Sequence, residues 1–341
     1  MSAIRKELPE AKVGGPASTG PASEKAIAFL DGFLRHCEND KSSADGKAIP
    51  LDFISFHPKG SPKVVDGQVQ MGLNAELRAA ENGFRTVAAH PRFKDLPIIL
   101  SEADPEGCAA CSMKVNPANA YRNGPLYPTY TAAAMKALYE LQDKYKVNLL
   151  AMVSWSFEFE GKDWFEGFRS LATNGVDKPV LNVFRMAGLM GGERVQTTSN
   201  GAVALDEILK SGVRGTPDID AIATTREHEA AVMLWNYHDE NKPAPAAMVQ
   251  IKLAGIPAGV TRVLVEHYRI DEAHSNAYTV WKAMGSPINP AAVSPEQGKE
   301  LKAAGQLELL HSPQWVDVKD GALQISMELP RQAVSLLRIH W

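Results

Sequence analysis

The sequence predicts an α/β protein in two parts: the second half of a (β/α)8 TIM barrel over residues 1–192, then a β-sandwich over residues 193–341. Three observations predict it. Short apolar runs, each followed by a segment of helical period, recur at roughly 45-residue intervals through the first part, which is the repeat of a (β/α) barrel. After about Glu193 the apolar period falls to strict alternation, the mark of half-buried antiparallel strands. The run Pro97-Ile-Ile-Leu-Ser-Glu-Ala-Asp104 joins buried-type aliphatics to two carboxylates, and barrels carry their functional groups at the C-terminal ends of such strands.

The elements follow in order. Ser2 to Leu8 is short and charged and reads as the remaining half of a helix; Lys12-Val-Gly-Gly-Pro16 reads as a strand end entering a Gly-Pro turn. From Ala22 onward, Ala26, Phe29, Leu30, Phe33, Leu34 and Cys37 fall at helical spacing on one face. Leu51 to His57 is the next strand, stopped by Pro58, and Leu73, Leu77, Ala80 and Phe84 mark a helix over 73–87. The strand ending at Glu102 is followed by a loop, Pro105 to Gly124, of a length that usually carries function. A helix from Tyr130 to Tyr145 turns Ala134, Leu138, Leu141 and Tyr145 inward, and Leu149 to Phe157 is the following strand. Pro179 and Gly191-Gly192 bracket one more helix. These make four strand-helix units, whereas a closed barrel takes eight units and about 250 residues.

In the second part, Val249, Ile251 and Leu253 share one face of a strand, as do Leu323, Ile325, Met327 and Leu329. With 230–237, 260–270 and 333–339 they suffice for a small sandwich, whose core would take the methionines from Met233 to Met248.

The chain has 341 residues, 45% hydrophobic and 22% charged, with a net charge of -4, so it can bury a core in each of two domains. It carries no basic run to neutralise phosphates, which excludes nucleic acid as a partner. No apolar run approaches the eighteen or so residues of a membrane helix, and Met1 to Lys12 lacks the charged-then-apolar order of a secretory signal. The sequence as written therefore carries no membrane or export address, and the compartment stays open. Cys108-Ala-Ala-Cys111 offers two thiols, but no second Cys or His pair completes a four-ligand metal set. The bland reading is a pair of loop thiols, able to form a disulfide in an oxidising compartment.

Position in the repeat selects the chemistry, because the C-terminal ends of successive strands converge on one mouth. Those ends offer His57 with Lys59, Glu102 with Asp104, and Trp155 with Glu158 and Glu160. Carboxylates that bind hydroxyls and attack an anomeric carbon, together with an indole that stacks on a sugar ring, suit carbohydrate. No Ser-His-Asp order, P-loop or GxGxxG follows a strand, so acyl transfer and nucleotide binding are disfavoured. Each residue also has a structural reading: a salt-bridged carboxylate, a satisfied histidine, a core indole.

Resemblance adds to this. Val13-Gly-Gly-Pro16, Asp52-Phe-Ile-Ser-Phe-His57, Ile99-Leu-Ser-Glu-Ala-Asp104, Asn123-Gly-Pro125, Lys178-Pro179, Val232-Met-Leu-Trp-Asn-Tyr237, His274-Ser-Asn-Ala-Tyr-Thr-Val-Trp281, Ala304-Gly-Gln-Leu-Glu308 and Leu329-Pro-Arg331 resemble, in order, the later part of glycoside hydrolase family 39, the β-xylosidases and α-L-iduronidases. The resemblance implies a retaining glycosidase with Glu102 as nucleophile. It also implies a general acid/base in an Asn-Glu-Pro motif, which this sequence does not contain and whose place would fall just before residue 1. His57, Glu158 and Glu160 are expected to bind sugar hydroxyls, Trp155 to wall the pocket and Lys59 to shape the subsite. His57-Pro-Lys-Gly60 is closer to the iduronidase version, where a lysine pairs with a uronate. Trp155-Ser-Phe157 and the sandwich segments are closer to the xylosidase version, and β-xylosidase is the leading expectation. No metal or organic cofactor is needed for two carboxylates and a water. The competing expectation is an inactive truncated chain with at most sugar-binding ability; a half-barrel leaves sheet edges unpaired, so association through them is expected, with a copy of itself or another chain.

Overall fold

The computed structural model describes residues 2–43 and 46–341. The first part runs α1 (Ser2–Glu7), β1 (Gly14–Thr19), α2 (Glu24–Asn39), β2 (Phe53–His57), a hairpin of β3 (Lys63–Val65) and β4 (Gln68–Gln70), α3 (Leu73–Ala88), β5 (Pro97–Leu100), α4 (Leu126–Tyr145) and β6 (Asn148–Met152). β1, β2, β5 and β6 form a parallel sheet in that order. Ile54, Phe56, Ile98 and Leu100 of its central strands are fully buried. On α3, Leu73, Leu77, Ala80, Phe84 and Val87 form the buried stripe that the spacing predicts. Gly83 lies so close to the Phe56 ring that a Cβ would sit 2.3 Å from Cζ, so the helix reaches the sheet only because this residue has no side chain.

Where the elements differ from expectation, the causes are local. The Gly-Gly-Pro segment does not end a strand: β1 begins at Gly14 and runs through Pro16, which an edge strand tolerates because the missing N–H is not needed on the free side. α2 starts at Glu24, capped by the Ser23 hydroxyl accepting from Ala26 N, and buries Leu30, Leu34 and Cys37 while Phe29 stays 57% exposed beside that stripe. α4 begins four residues early, at Leu126, and is buried nearly all round its first half because α3, α5 and the later sheet all pack on it. β6 stops at Met152, and Leu150 is 63% exposed because β6 is the other edge of the sheet.

The chain continues through a two-residue hairpin, β7 (Ala172–Thr173) and β8 (Val176–Asp177), to α5 (Pro179–Leu189), β9 (Glu193–Val195), α6 (Leu205–Ser211), β10 (Asp218–Arg226), β11 (Glu229–Tyr237), β12 (Ala247–Ala254), β13 (Arg262–Ile270), α7 (Ala277–Ala283), α8 (Pro295–Ala304), β14 (Gln314–Asp317), β15 (Ala322–Leu329) and β16 (Val334–His340). Six strands pair antiparallel in the order β14-β13-β16-β11-β10-β9, and β12 pairs with β15 over eight residues as a separate ribbon. Ile251, Leu253, Leu323, Ile325 and Met327 of the ribbon pack onto Val232, Val263, Val265, Leu337 and Ile339 of the large sheet. β11 is buried along its whole length, since its other face sends Met233, Trp235 and Tyr237 into the core of the first part. Its sequence is accordingly apolar without alternation. Met233 joins that core, but Met248 is 69% exposed, on the outward phase of β12.

The two parts are stapled by buried polar bonds. Gln332 accepts from the Thr129 hydroxyl of α4 at 2.9 Å and donates to the His238 carbonyl at 2.8 Å. The helical insertion α7–α8 packs Ala277, Trp281 and Leu301 against Trp164 and Phe165 of the long loop after β6 and Val176 of β8. Among the described residues, no helix is long and apolar enough to cross a membrane.

Candidate active site

Backbone bonds carry the sheet register past the strand ends and bring their loops together. Ser101 N donates to Phe56 O, Gly60 N to Asp104 O, and Ala103 N to Val153 O. Thus His57, Lys59, Glu102, Asp104 and Ser154 lie on one C-terminal rim, although Glu102 and Trp155 stand two and three residues beyond their strands.

Lys59 is the centre of this rim. Its Nζ lies 2.7 Å from Glu102 Oε2 and 2.5 Å from Asp104 Oδ2, while His57 Nδ1 is 3.8 Å from Glu102 Oε1. Asp104 is fully buried and accepts from Ser154 Oγ at 2.6 Å and from Arg169 Nη1, also fully buried, at 2.5 Å. Arg169 in turn donates to the Trp155 carbonyl, tying the loop after β6 to the loop after β5. Glu102 keeps 28% of its side chain exposed. Burial works against its charge, but the hydrogen bond and charge of Lys59, with His57 and Arg169 behind, outweigh that and hold its carboxyl below the usual range. The rim therefore presents one accessible, ionised carboxylate, fixed in place, with its counter-charge supplied from the inner side.

The sequence model of Glycosyl hydrolases family 39 matches residues 1–308. The chain belongs to that family. It is 24% identical over 355 residues to a β-xylosidase of Geobacillus stearothermophilus, covering 99% of this chain and 59% of that one. It is 26% identical over 367 residues to an α-L-iduronidase of Mus musculus, covering 99% and 52%. A monomeric β-xylosidase from Caulobacter crescentus CB15 superposes with a TM-score of 0.71 at 16% identity, covering 99% of this chain and 63% of that one, a likeness of fold. The chain thus spans between half and two thirds of these relatives' length.

In this family 39 chain the remaining predicted residues lie apart from the Lys59 pairings. Trp155 is half exposed, set edge-on to Phe159 with ring centroids 5.8 Å apart, so its indole is a rim and not core. Glu158 Oε1 accepts from Gly175 N at 2.9 Å, and Glu160 is exposed; among the described residues no hydrogen bond or ion pair joins either to Glu102. Cys108 and Cys111 are disulfide-bonded in the loop after β5. That loop supports the rim: Arg169 N donates to Ala109 O, and Arg122 Nη1 to Cys111 O at 2.6 Å. Among the described residues no group of three or more His, Cys, Asp or Glu is placed to hold a metal.

Sequence reasoning missed three charged groups. Arg169 and Arg122 are isolated basic residues in aperiodic loops, with nothing in the pattern to mark them as buried. Glu76, on the first turn of α3, is fully buried against the Tyr130 hydroxyl, which donates to Oε2 at 2.5 Å. Burial, with Asp104 nearby, pushes its carboxyl up to about 8 against the opposing pull of Tyr130, Lys59 and Arg169, so it is a neutral acid at neutral pH. Its one signal was a Glu on the otherwise apolar stripe of a helix.

Proposed function

We propose that this chain is the nucleophile-bearing portion of a retaining exo-β-xylosidase. In this reading residues 1–192 supply strands five to eight of a (β/α)8 barrel, and residues 193–341 are the β-sandwich that follows it. The observation that carries the proposal is Glu102, accessible at the strand ends and kept ionised by Lys59. Its carboxylate attacks the anomeric carbon of a terminal xylose as the bond to the leaving oxygen breaks, giving a glycosyl ester. Water then attacks the same carbon, Glu102 departs as carboxylate, and the sugar leaves with retained configuration. Protonating the leaving oxygen and deprotonating the water is the task of a second carboxyl about 5–5.5 Å away. Asp104 is unsuited to that task, being buried between Lys59 and Arg169, and Glu76 is sealed behind Tyr130. The acid/base is therefore assigned to the family's Asn-Glu-Pro glutamate, carried on sequence not contained here. His57, Glu158 and Glu160 would bind hydroxyls, and Trp155 would wall the pocket.

A uronide substrate is the second reading, favoured by the Lys59 ammonium at the rim. Lys59 is already shared between Glu102 and Asp104, however, and Arg169 is paired with Asp104, so neither of these two cations is left over for a uronate. This balance favours a neutral glycone.

Turnover of 2,4-dinitrophenyl β-D-xylopyranoside tests the proposal, because dinitrophenolate departs without protonation. Release by this chain that Glu102→Ala lacks supports it, and equal release from both overturns it. Release only from an aryl α-L-iduronide transfers the assignment to the second reading.

A further inference from the structure

We propose that Tyr130 and Glu76 are positioning residues for Glu102: the Tyr130 hydroxyl, oriented by the Glu76 carboxyl, supports the turn at Gly60 from which Lys59 reaches the nucleophile. The inference rests on the glycosidase reading above in calling Glu102 a nucleophile, and it adds the inner support of the rim.

Contact is the first argument. Tyr130 of α4 is buried, and its hydroxyl lies so close to the Gly60 backbone that a Cβ on Gly60 would sit 2.6 Å from the Tyr130 oxygen and 2.3 Å from Pro105 O. The turn is clasped between that hydroxyl and the chain after Asp104. Gly60 N donates to Asp104 O at 2.9 Å, and Lys59, the residue before Gly60, reaches Glu102 at 2.7 Å and Asp104 at 2.5 Å. A hydroxyl that holds Gly60 therefore also fixes the base from which Lys59 extends.

Orientation is the second argument. The Tyr130 hydroxyl donates to Glu76 Oε2 at 2.5 Å, while its ring stands edge-on to Tyr237 of β11 with centroids 6.1 Å apart. Hydroxyl and ring are each held by a different element. Glu76 is the one acid among the buried positions of α3, where an aliphatic side chain facing a phenylalanine would fill the space without burying a carboxyl. Packing alone does not call for it, whereas orienting a hydroxyl does. Asp104, Lys59 and Arg169 are the charged groups that act on Glu76, and in its neutral form Glu76 does not draw Lys59 away from Glu102.

The experiment follows the titration of the Glu102 carboxyl by NMR, its resonance assigned by its absence from Glu102→Gln, because this readout needs no turnover. Tyr130→Phe keeps the ring and removes the hydroxyl, and should raise the Glu102 midpoint by about half a pH unit or more as Lys59 loses its fixed base. Glu76→Leu should do the same, while Glu76→Gln, which keeps an acceptor for the hydroxyl, should hold the wild-type midpoint. In a Lys59→Met background Tyr130→Phe should add no further shift, since residues that act through one another are not additive. A general loosening of the fold would instead shift both backgrounds alike. A midpoint that Tyr130→Phe leaves unchanged, or an equal shift with and without Lys59, would overturn the inference. Should Tyr130→Phe not fold, equal midpoints in Glu76→Leu and Glu76→Gln would overturn it. If the midpoints move as expected but the wild type releases no dinitrophenolate from the aryl xyloside, the positioning stands and the glycosidase reading falls. Release with an unmoved midpoint leaves the glycosidase reading alone.

Discussion

Replacing Glu76 with Gln keeps the side chain's shape and its acceptor for the Tyr130 hydroxyl but removes the titration. In the folded protein the carboxyl sits at about 8, against an ordinary value of 4.5. Its folded value is raised, so the stability it contributes is fully present below the unfolded value and is lost as pH rises through the folded one. Between pH 5 and pH 8 the folded state binds nearly one more proton at this site than the unfolded state. At about 1.4 kcal/mol per pH unit, the wild type should lose on the order of 3 kcal/mol that Glu76→Gln does not lose. With an unfolding entropy of about 2.1 cal/mol/K per residue, that corresponds to roughly 4 °C in Tm. The assay is thermal unfolding of both proteins at half-unit steps from pH 5 to pH 8.5. The fixed cost of placing an amide in this site cancels, because only the difference in slope is read. Parallel profiles would refute a neutral, buried Glu76.

The rim yields two further expectations and the exposed sheet edge a third. Lys59→Met removes a charge-assisted bond worth about 1.5–3 kcal/mol, so dinitrophenyl xyloside turnover at pH 5 should fall roughly 10- to 100-fold, with the acid limb moving to higher pH as Glu102 loses the cation that keeps it ionised. An unshifted limb would contradict the role given to Lys59. Arg169→Met leaves Asp104 short of a buried partner and should cost about 3–5 kcal/mol in urea unfolding, well beyond an exposed control such as Arg35→Met. Leu150→Lys places a charge on the exposed edge strand and should reduce self-association of the chain in light scattering at equal concentration. Unchanged mass in both proteins would count against association through that edge.

Legibility in the sequence followed burial. β12 and β15 bury one face each, so alternation put Val249, Ile251 and Leu253, and Leu323, Ile325, Met327 and Leu329, on the inward phase that the strands show. α3 displayed its stripe because only one side meets the sheet. The first half of α4 buries every side, and a continuous apolar run does not say where an element begins, although the equally buried β11 was placed to within one residue of its start at Glu229. Phe29 and Met248 were drawn inward by residue type, but each lies outside its element's buried phase. Glu102 was visible as a carboxylate ending an apolar strand. Arg169, Arg122 and Glu76 were not, since their burial depends on partners many residues away: Asp104 for Arg169, Glu106 for Arg122 and Tyr130 for Glu76. Pairing across loops leaves no periodic trace.

The central claim is that Glu102 is a glycosidase nucleophile, and the measurement that meets it most directly is peptide mapping after incubation with 2-deoxy-2-fluoro-β-D-xylosyl fluoride. Fluoride departs without an acid, so the account predicts one fluoroxylosyl group per chain, on the peptide containing Glu102, and none on Glu102→Ala. A label on any other residue, or persistent labelling of the Glu102→Ala chain, would contradict it.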